Sequence, residues 1–209
     1  MIERLVLVRH GETVHNVSGI TQGWSDSELS ERGWTQVRAI GRRLVSLEPT
    51  AIYSSTLARA LSTAEVIGSE LGLAVTQLDD LREMNCGEWE GVPFLSVREA
   101  EPELFRQWSS DPTVACPGGE SYHDVQLRME RAVAWIEEQA GAHGRAVVVS
   151  HGTAIRIVAT SLLKLSLGDA RAFVQDNAAI NVFERRGGRY VLARWNDTSH
   201  WELNGQHDS

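Results

Sequence analysis

Two stretches of this 209-residue chain end alike. Leu5-Val6-Leu7-Val8 runs into Arg9-His10-Gly11-Glu12-Thr13, and Val147-Val148-Val149 runs into Ser150-His151-Gly152-Thr153. Imidazole can act as a nucleophile and carry protons near neutral pH. The Gly after each His removes a side chain where a ligand would approach the backbone. A further cation follows a third apolar run: Ala51-Ile52-Tyr53-Ser54-Ser55 leads through Thr56-Leu57-Ala58 to Arg59. Arg9 and Arg59 together offer two planar forks, each suited to grip a pair of phosphate oxygens. Two His and two Arg hold an anion, but breaking a phosphate ester also needs a proton for the leaving oxygen. Carboxylates for that role come from Leu81-Arg82-Glu83-Met84-Asn85-Cys86-Gly87-Glu88-Trp89-Glu90-Gly91, where position alone does not separate Glu83 from Glu88 or Glu90.

Other chemistries lack their signatures. The seven histidines, at 10, 15, 123, 143, 151, 200 and 207, form neither HxH nor HExxH, and no tight Asp/Glu cluster suggests a magnesium site. No metal and no cofactor is expected. There is no GxxxxGK[ST] loop, no GxGxxG and no GxSxG elbow. Cys86 and Cys116 lack CxxC spacing and read as two thiols in a reducing compartment.

These side chains need a frame that gathers the ends of their strands. Leu5 to Val8 and Ala146 to Val149 are continuous apolar runs, the pattern of strands buried on both faces. Ala51 to Ser54 is a weaker run and Ala74 to Leu78 a short one. Between them, helical spacing of apolar residues predicts helices over Glu31 to Leu47, Leu57 to Leu71, about Ser121 to Ala140, and His151 to Leu165. Ala178 to Glu184 and Tyr190 to Trp195, joined across Gly187-Gly188, read as a hairpin. Strands alternating with helices imply an α/β protein with a mostly parallel sheet and an antiparallel edge. Groups just past the carboxyl ends of such strands line the ligand crevice, which places both histidines at one rim. No linker divides residues 1–209, so one domain is expected. The stretch of about 84–119, interrupted by Pro93, Pro102, Pro112 and Pro117, reads as a lid or substrate-facing insertion.

Composition narrows the partners. Twenty Lys plus Arg against 28 Asp plus Glu give a net charge of −8, with 42% hydrophobic residues. That supports a packed core and argues against an extended nucleic-acid surface, while leaving room for a small cationic pocket. The N-terminal apolar run is too short for a secretory signal or a membrane span, so a cytoplasmic protein with no membrane partner is expected.

Taken in order, a set of motifs resembles the histidine phosphatase superfamily in its phosphoglycerate-mutase-like branch. The motifs are Arg9-His10-Gly11-Glu12-Thr13 with Asn16, Gln22-Gly23-Trp24 with Asp26, Leu29-Ser30-Glu31-Arg32-Gly33, Ser54-Ser55 with Arg59, Glu83 with Gly87-Glu88-Trp89-Glu90-Gly91, and Ser150-His151-Gly152. The resemblance implies a three-layer α/β/α sandwich with a helical lid insertion and a phosphohistidine mechanism. It makes His10 the nucleophile and Glu83 the proton donor and later acceptor. Arg9, Arg59 and His151 would surround the phosphoryl oxygens, with Asn16, Gln22, Gly23 and Gly152 at the substrate. In these roles His10 must be neutral, whereas His151 helps most as a cation, a charge that bound phosphate favours.

Within the branch, mutases usually carry an Arg-His-Tyr-Gly type segment after the Glu and extra basic residues in the insertion. Here Met84-Asn85-Cys86-Gly87 follows, and the insertion has only Arg98 and Arg106 as cations, which favours water as acceptor. The expectation is a metal-independent phosphomonoesterase acting on a small organic phosphate, either a sugar phosphate or a phosphoglycerate derivative such as glucosyl-3-phosphoglycerate. The alternatives are a phosphoglycerate mutase and a catalytically idle phosphate-binding module. A small-molecule phosphate ester is the expected partner, and a homodimer is an option. His15, where many relatives have an aromatic, reads as a spectator.

Overall fold

The first apolar run is strand β1 (Arg4–Arg9), and its alternate side chains serve two cores. Leu5 and Leu7 pack into one cluster and Val6 and Val8 into another, on opposite faces of the sheet. This is why the run is continuously apolar rather than alternating. The structure, a computed structural model, describes residues 2–141 and 143–202. After β1 come α1 (Val14–Val17), α2 (Glu31–Leu44), β2 (Ala51–Ser55), α3 (Ala58–Leu71), β3 (Val75–Leu78), α4 (Phe94–Ala100) and α5 (Pro102–Ser110). The chain continues with α6 (Tyr122–Ala140), β4 (Arg145–Ser150), α7 (Gly152–Leu163), β5 (Ile180–Arg186), β6 (Arg189–Asp197) and α8 (Ser199–Glu202).

The strands form one sheet in the order β3-β2-β4-β1-β5-β6. Pairs β2/β3, β2/β4 and β1/β4 are parallel, whereas β1/β5 and β5/β6 are antiparallel. Ile40 and Leu44 of α2 and Ala60, Ala64 and Ile67 of α3 cover one face, and Val125, Met129 and Ile136 of α6 with Ile155 and Val158 of α7 cover the other. The result is the three-layer α/β/α arrangement with a mostly parallel sheet and an antiparallel edge. Gly187 and Gly188 turn the β5/β6 hairpin with φ of 56° and 80°; both are positive, as the mirror-image two-residue turn requires.

Caps define the helices that matter here. Ser30 accepts a hydrogen bond from Gly33 N to open α2, and Ser121 with Asp124 makes a reciprocal capping box at the start of α6. The predicted 31–47 helix is α-helical only to Leu44 and finishes in a 3₁₀ turn, Val45–Leu47. In the 84–119 segment the prolines start helices rather than merely interrupting the chain. Pro102 occupies the first turn of α5, where its missing N–H costs nothing, and Pro93 immediately precedes α4. These two short helices pack through Phe94, Phe105 and Trp108 against Trp89 and Tyr122, forming an aromatic cluster with ring centroids 5.4–6.4 Å apart. Among the described residues no helix is long and apolar enough to cross a membrane.

Candidate active site

Strands β1 and β4 are neighbours in register, with Arg9 opposite Ser150, so the residues that follow them emerge side by side. The ladder runs one step further, through His10 N to Ser150 O at 3.1 Å. The His10 and His151 rings consequently stand 5.1 Å apart, centroid to centroid, tilted by 57°. His10 Nδ1 lies 2.8 Å from the carbonyl oxygen of Gly11. A carbonyl can only accept, so Nδ1 carries the proton and Nε2 keeps the lone pair in the neutral ring. Burial pushes the His10 pKa well below its ordinary value, and the Arg59 and Arg9 guanidiniums push it further. His151 is depressed in the same way, by burial first and then by Arg59 and His10. The free pocket therefore holds two neutral imidazoles.

Arg9 and Arg59 flank this pair. Arg9 donates from Nη1 to Gln175 O at 2.5 Å, and burial, only partly opposed by Glu83, lowers its pKa to about 10. Arg59, in the first turn of α3, donates to Gly23 O at 2.6 Å, Ser25 O at 2.9 Å and Asp26 Oδ1 at 3.2 Å. Arg9 Nε, Arg59 Nε and His151 Nδ1 are buried without a protein partner among the described residues. Such donors are costly to leave unmade, and a bound oxyanion would satisfy them.

The two glycines after the histidines do different jobs. A Cβ on Gly152 would stand 3.4 Å from the Arg9 guanidinium, so that glycine makes room for the Arg9 side chain. A Cβ on Gly11 would instead meet Val37 Cγ2 at 2.7 Å and Gly33 O at 2.9 Å. Gly11 is there for the close approach of α2, not for ligand access as the sequence suggested.

The structure separates the three candidate carboxylates. Glu90 is occupied: it accepts from Trp24 N, Ser25 N, Ser25 Oγ and Cys86 N. Glu88 is exposed. Glu83 alone reaches the cavity, where Oε2 accepts from Thr153 N at 3.1 Å and Oε1 from Ala154 N at 3.0 Å and Met84 N at 2.9 Å. It thereby caps α7, whose preceding residue, His151, contributes no side-chain cap.

The cavity measures about 340 Å³. Its wall includes Arg9, His10, Asn16, Gln22, Gly23, Arg59 and Glu83, while His151 and Gly152 stand behind that wall, against His10 and Arg9. Asn16 Oδ1 accepts from Thr13 N, Thr13 Oγ1 and Asn177 Nδ2, which turns its own amide N–H₂ group outward as a donor. Gln22 Oε1 lies 3.1 Å from the same Thr13 hydroxyl, whose single proton serves one of the two acceptors at a time. His15 faces a separate cavity of about 600 Å³ with Glu28 and Trp34, away from the histidine pair. Sequence reasoning missed Tyr122, Thr153 and Arg156 on the wall of this cavity. Thr153 and Arg156 share one helical face by i,i+3 spacing, a signal readable once His151 is placed at the start of a helix. Among the described residues no group of three or more His, Cys, Asp or Glu converges as a metal site.

A sequence profile of the histidine phosphatase superfamily (branch 1) matches residues 5–198. The chain belongs to that superfamily. Among relatives of this phosphatase, the glucosyl-3-phosphoglycerate phosphatase of Mycobacterium tuberculosis is 38% identical over 173 residues, covering 79% of this chain and 78% of its own. The metal-independent phosphoserine phosphatase of Arabidopsis thaliana is 35% identical over 204 residues, covering 95% and 83%. In three dimensions, a mycobacterial glucosyl-3-phosphoglycerate phosphatase in complex with VO3 superposes with a TM-score of 0.86 at 35% identity, over 93% of this histidine phosphatase and 99% of that chain. The family and its named members make this protein a phosphatase of small phosphate esters.

Proposed function

We propose that the protein is a metal-independent phosphomonoesterase that works through a phosphohistidine at His10. The observation that carries this reading is the 2.8 Å contact of His10 Nδ1 with Gly11 O, which fixes the tautomer with its lone pair on Nε2 in a pocket walled by Arg9, Arg59 and Glu83. In the first step Nε2 bonds to phosphorus and the ester P–O bond breaks, the leaving oxygen taking a proton from Glu83. In the second step water attacks phosphorus, the N–P bond breaks, and Glu83 receives the proton of that water. Arg9, Arg59, Asn16 and, once the anion is bound, a protonated His151 meet the negative charge on the equatorial oxygens, the charge stabilisation on which phosphoryl transfer depends.

Water as acceptor is supported by the insertion's contribution to the cavity, which is uncharged: Met84, Cys86, Trp89, Phe94 and Trp108. A mutase must hold a bisphosphate, and those side chains add no cation for it. Phosphoglycerate derivatives such as glucosyl-3-phosphoglycerate, sugar phosphates and phosphoserine are the substrate candidates, the first and last from the names of the relatives. A panel of these esters assayed with and without EDTA, beside His10→Ala, tests the mechanism. Turnover that survives EDTA and vanishes in His10→Ala is expected. Loss with EDTA, or full turnover in His10→Ala, would overturn it.

A further inference from the structure

The phosphatase reading leaves one cation on the cavity wall without a task. Arg156 projects from the second turn of α7 into the wall it shares with Arg9 and Tyr122, close enough for its charge to act on both groups. Nε donates to Gly152 O at 3.3 Å and Nη2 to Thr153 Oγ1 at 3.1 Å, both within its own helix. These two bonds hold the guanidinium down against α7 while Nη1 has no partner among the described residues. No described carboxylate pairs with it, in contrast to Arg59 with Asp26 and Arg128 with Glu120. A half-buried guanidinium bears a desolvation cost that an anionic partner offsets, and its planar fork suits a two-oxygen anion.

We infer that Arg156 is a specificity residue that receives a carboxylate of the substrate, so that the preferred esters are phosphates of small hydroxy acids carrying a carboxylate near the ester oxygen. This rests on the hydrolytic reading above, because it takes the phosphoryl group to lie at His10. Arg9, Arg59 and His10 already occupy the phosphoryl end, and Arg156 belongs to the same 340 Å³ cavity, so its anion is another part of the same small molecule. The second group is a carboxylate rather than another phosphate on grounds of charge. Arg171 stacks over the Tyr122 and Trp108 rings at 4.1 and 5.7 Å but does not line the cavity, so beyond the phosphoryl end the described wall offers Arg156 as its one cation, which balances a single negative charge and would leave a second phosphoryl dianion half-compensated. Thr153, whose hydroxyl Arg156 already holds, stands one turn away beside Glu83 and can add a neutral hydrogen bond to the same group.

The test uses matched pairs differing only in that carboxylate: O-phosphoserine against phosphoethanolamine, and 3-phosphoglycerate against glycerol 3-phosphate. The readout is the ratio of kcat/KM within each pair. The wild-type chain is expected to favour the carboxylate member, and Arg156→Gln to lower that ratio by about 10- to 100-fold, the size of one charge-assisted pair, mainly through KM. Arg156→Lys should recover part of the ratio as a point charge without the fork. A wild-type ratio near one, or a ratio unmoved by Arg156→Gln even where all rates fall together, overturns the assignment. Should the chain cleave none of the esters, nor p-nitrophenyl phosphate, the hydrolytic reading fails. Calorimetric binding of O-phosphoserine and phosphoethanolamine to His10→Ala, with and without Arg156→Gln, still decides the role of Arg156: an affinity ratio that Arg156→Gln leaves unchanged sinks it.

Discussion

The carboxylate of Glu83 accepts the main-chain N–H of Ala154 at 3.0 Å, so the acid on the loop after β3 is docked on the helix that follows His151. One strand-end loop thus seats the proposed proton carrier on the other's helix, and the two halves of the proposed chemistry share a fixed reference frame.

Glu83→Gln keeps the shape of that contact and removes the transferable proton. It is expected to lower kcat for alkyl phosphates by about 10²- to 10⁴-fold, the range of a positioned general acid. A phenolic leaving group such as p-nitrophenolate needs less protonation, so the deficit with p-nitrophenyl phosphate should be smaller in phosphoenzyme formation. Equal deficits for both leaving groups in single-turnover release of alcohol and phenol would remove Glu83 from the acid role.

Arg128 fixes the backbone on which Glu83 sits. It donates to the carbonyls of Asp80, Arg82 and Glu83 at 3.0, 2.6 and 2.8 Å, and pairs with both oxygens of Glu120. Removing one partner of a mostly buried pair costs about 3–5 kcal/mol, so Arg128→Met should lower Tm. As a positioning residue it should also lower kcat with little change in phosphate inhibition, and Arg128→Lys should restore part of the rate. A variant with lower Tm but unaltered kcat at a temperature where it stays folded would make the role purely structural.

Both pocket histidines have folded pKa values below the unfolded value of about 6.5. Below that pH the unfolded chain binds protons that the folded chain refuses. Stability is therefore complete above about pH 6.5 and falls as the pH drops toward the folded values, by up to about 1.4 kcal/mol per pH unit for each histidine. Melting curves between pH 7.5 and 5.5 should show a falling Tm, with a shallower slope in a His10→Gln/His151→Gln variant. The same slope in both proteins would place the effect elsewhere.

Gly11→Ala should destabilise by about 1–3 kcal/mol, the usual cost of forcing a methyl into a packed contact, because the obstacle at 2.9 Å is the backbone oxygen of Gly33. Gly152→Ala meets only the Arg9 guanidinium at 3.4 Å, so its effect should fall on phosphate affinity more than on Tm. Denaturant titrations beside phosphate inhibition constants separate the two, and a reversed pattern would contradict the geometry.

The central strands were legible because burial on both faces demands an unbroken apolar run, as in Leu5 to Val8. The same local logic located His10 and His151 at strand ends. Edge strand β3 is only half-buried, which is why its signal was faint. The short helices of the 84–119 segment were expected from the family resemblance and not from the spacing of their residues, because their apolar faces are completed by Trp89 and Tyr122 from outside them. Position alone could not choose Glu83 over Glu90, since the difference lies in which main-chain N–H groups each one meets in space. Arg156 was invisible for a related reason: an arginine on a helix is ordinary until the helix is seen to border a cavity.

The pairing of β1 with β4 has a consequence for assembly. Its two strands, Arg4–Arg9 and Arg145–Ser150, lie far apart in the chain, with β2 and β3 and most of the helices made in between, so no short fragment can bring His10 beside His151. Loop closure over that span makes their meeting a non-local and therefore late event. Competence to bind phosphate should then appear only with the finished sheet, which makes the ligand a reporter of complete folding rather than of any intermediate.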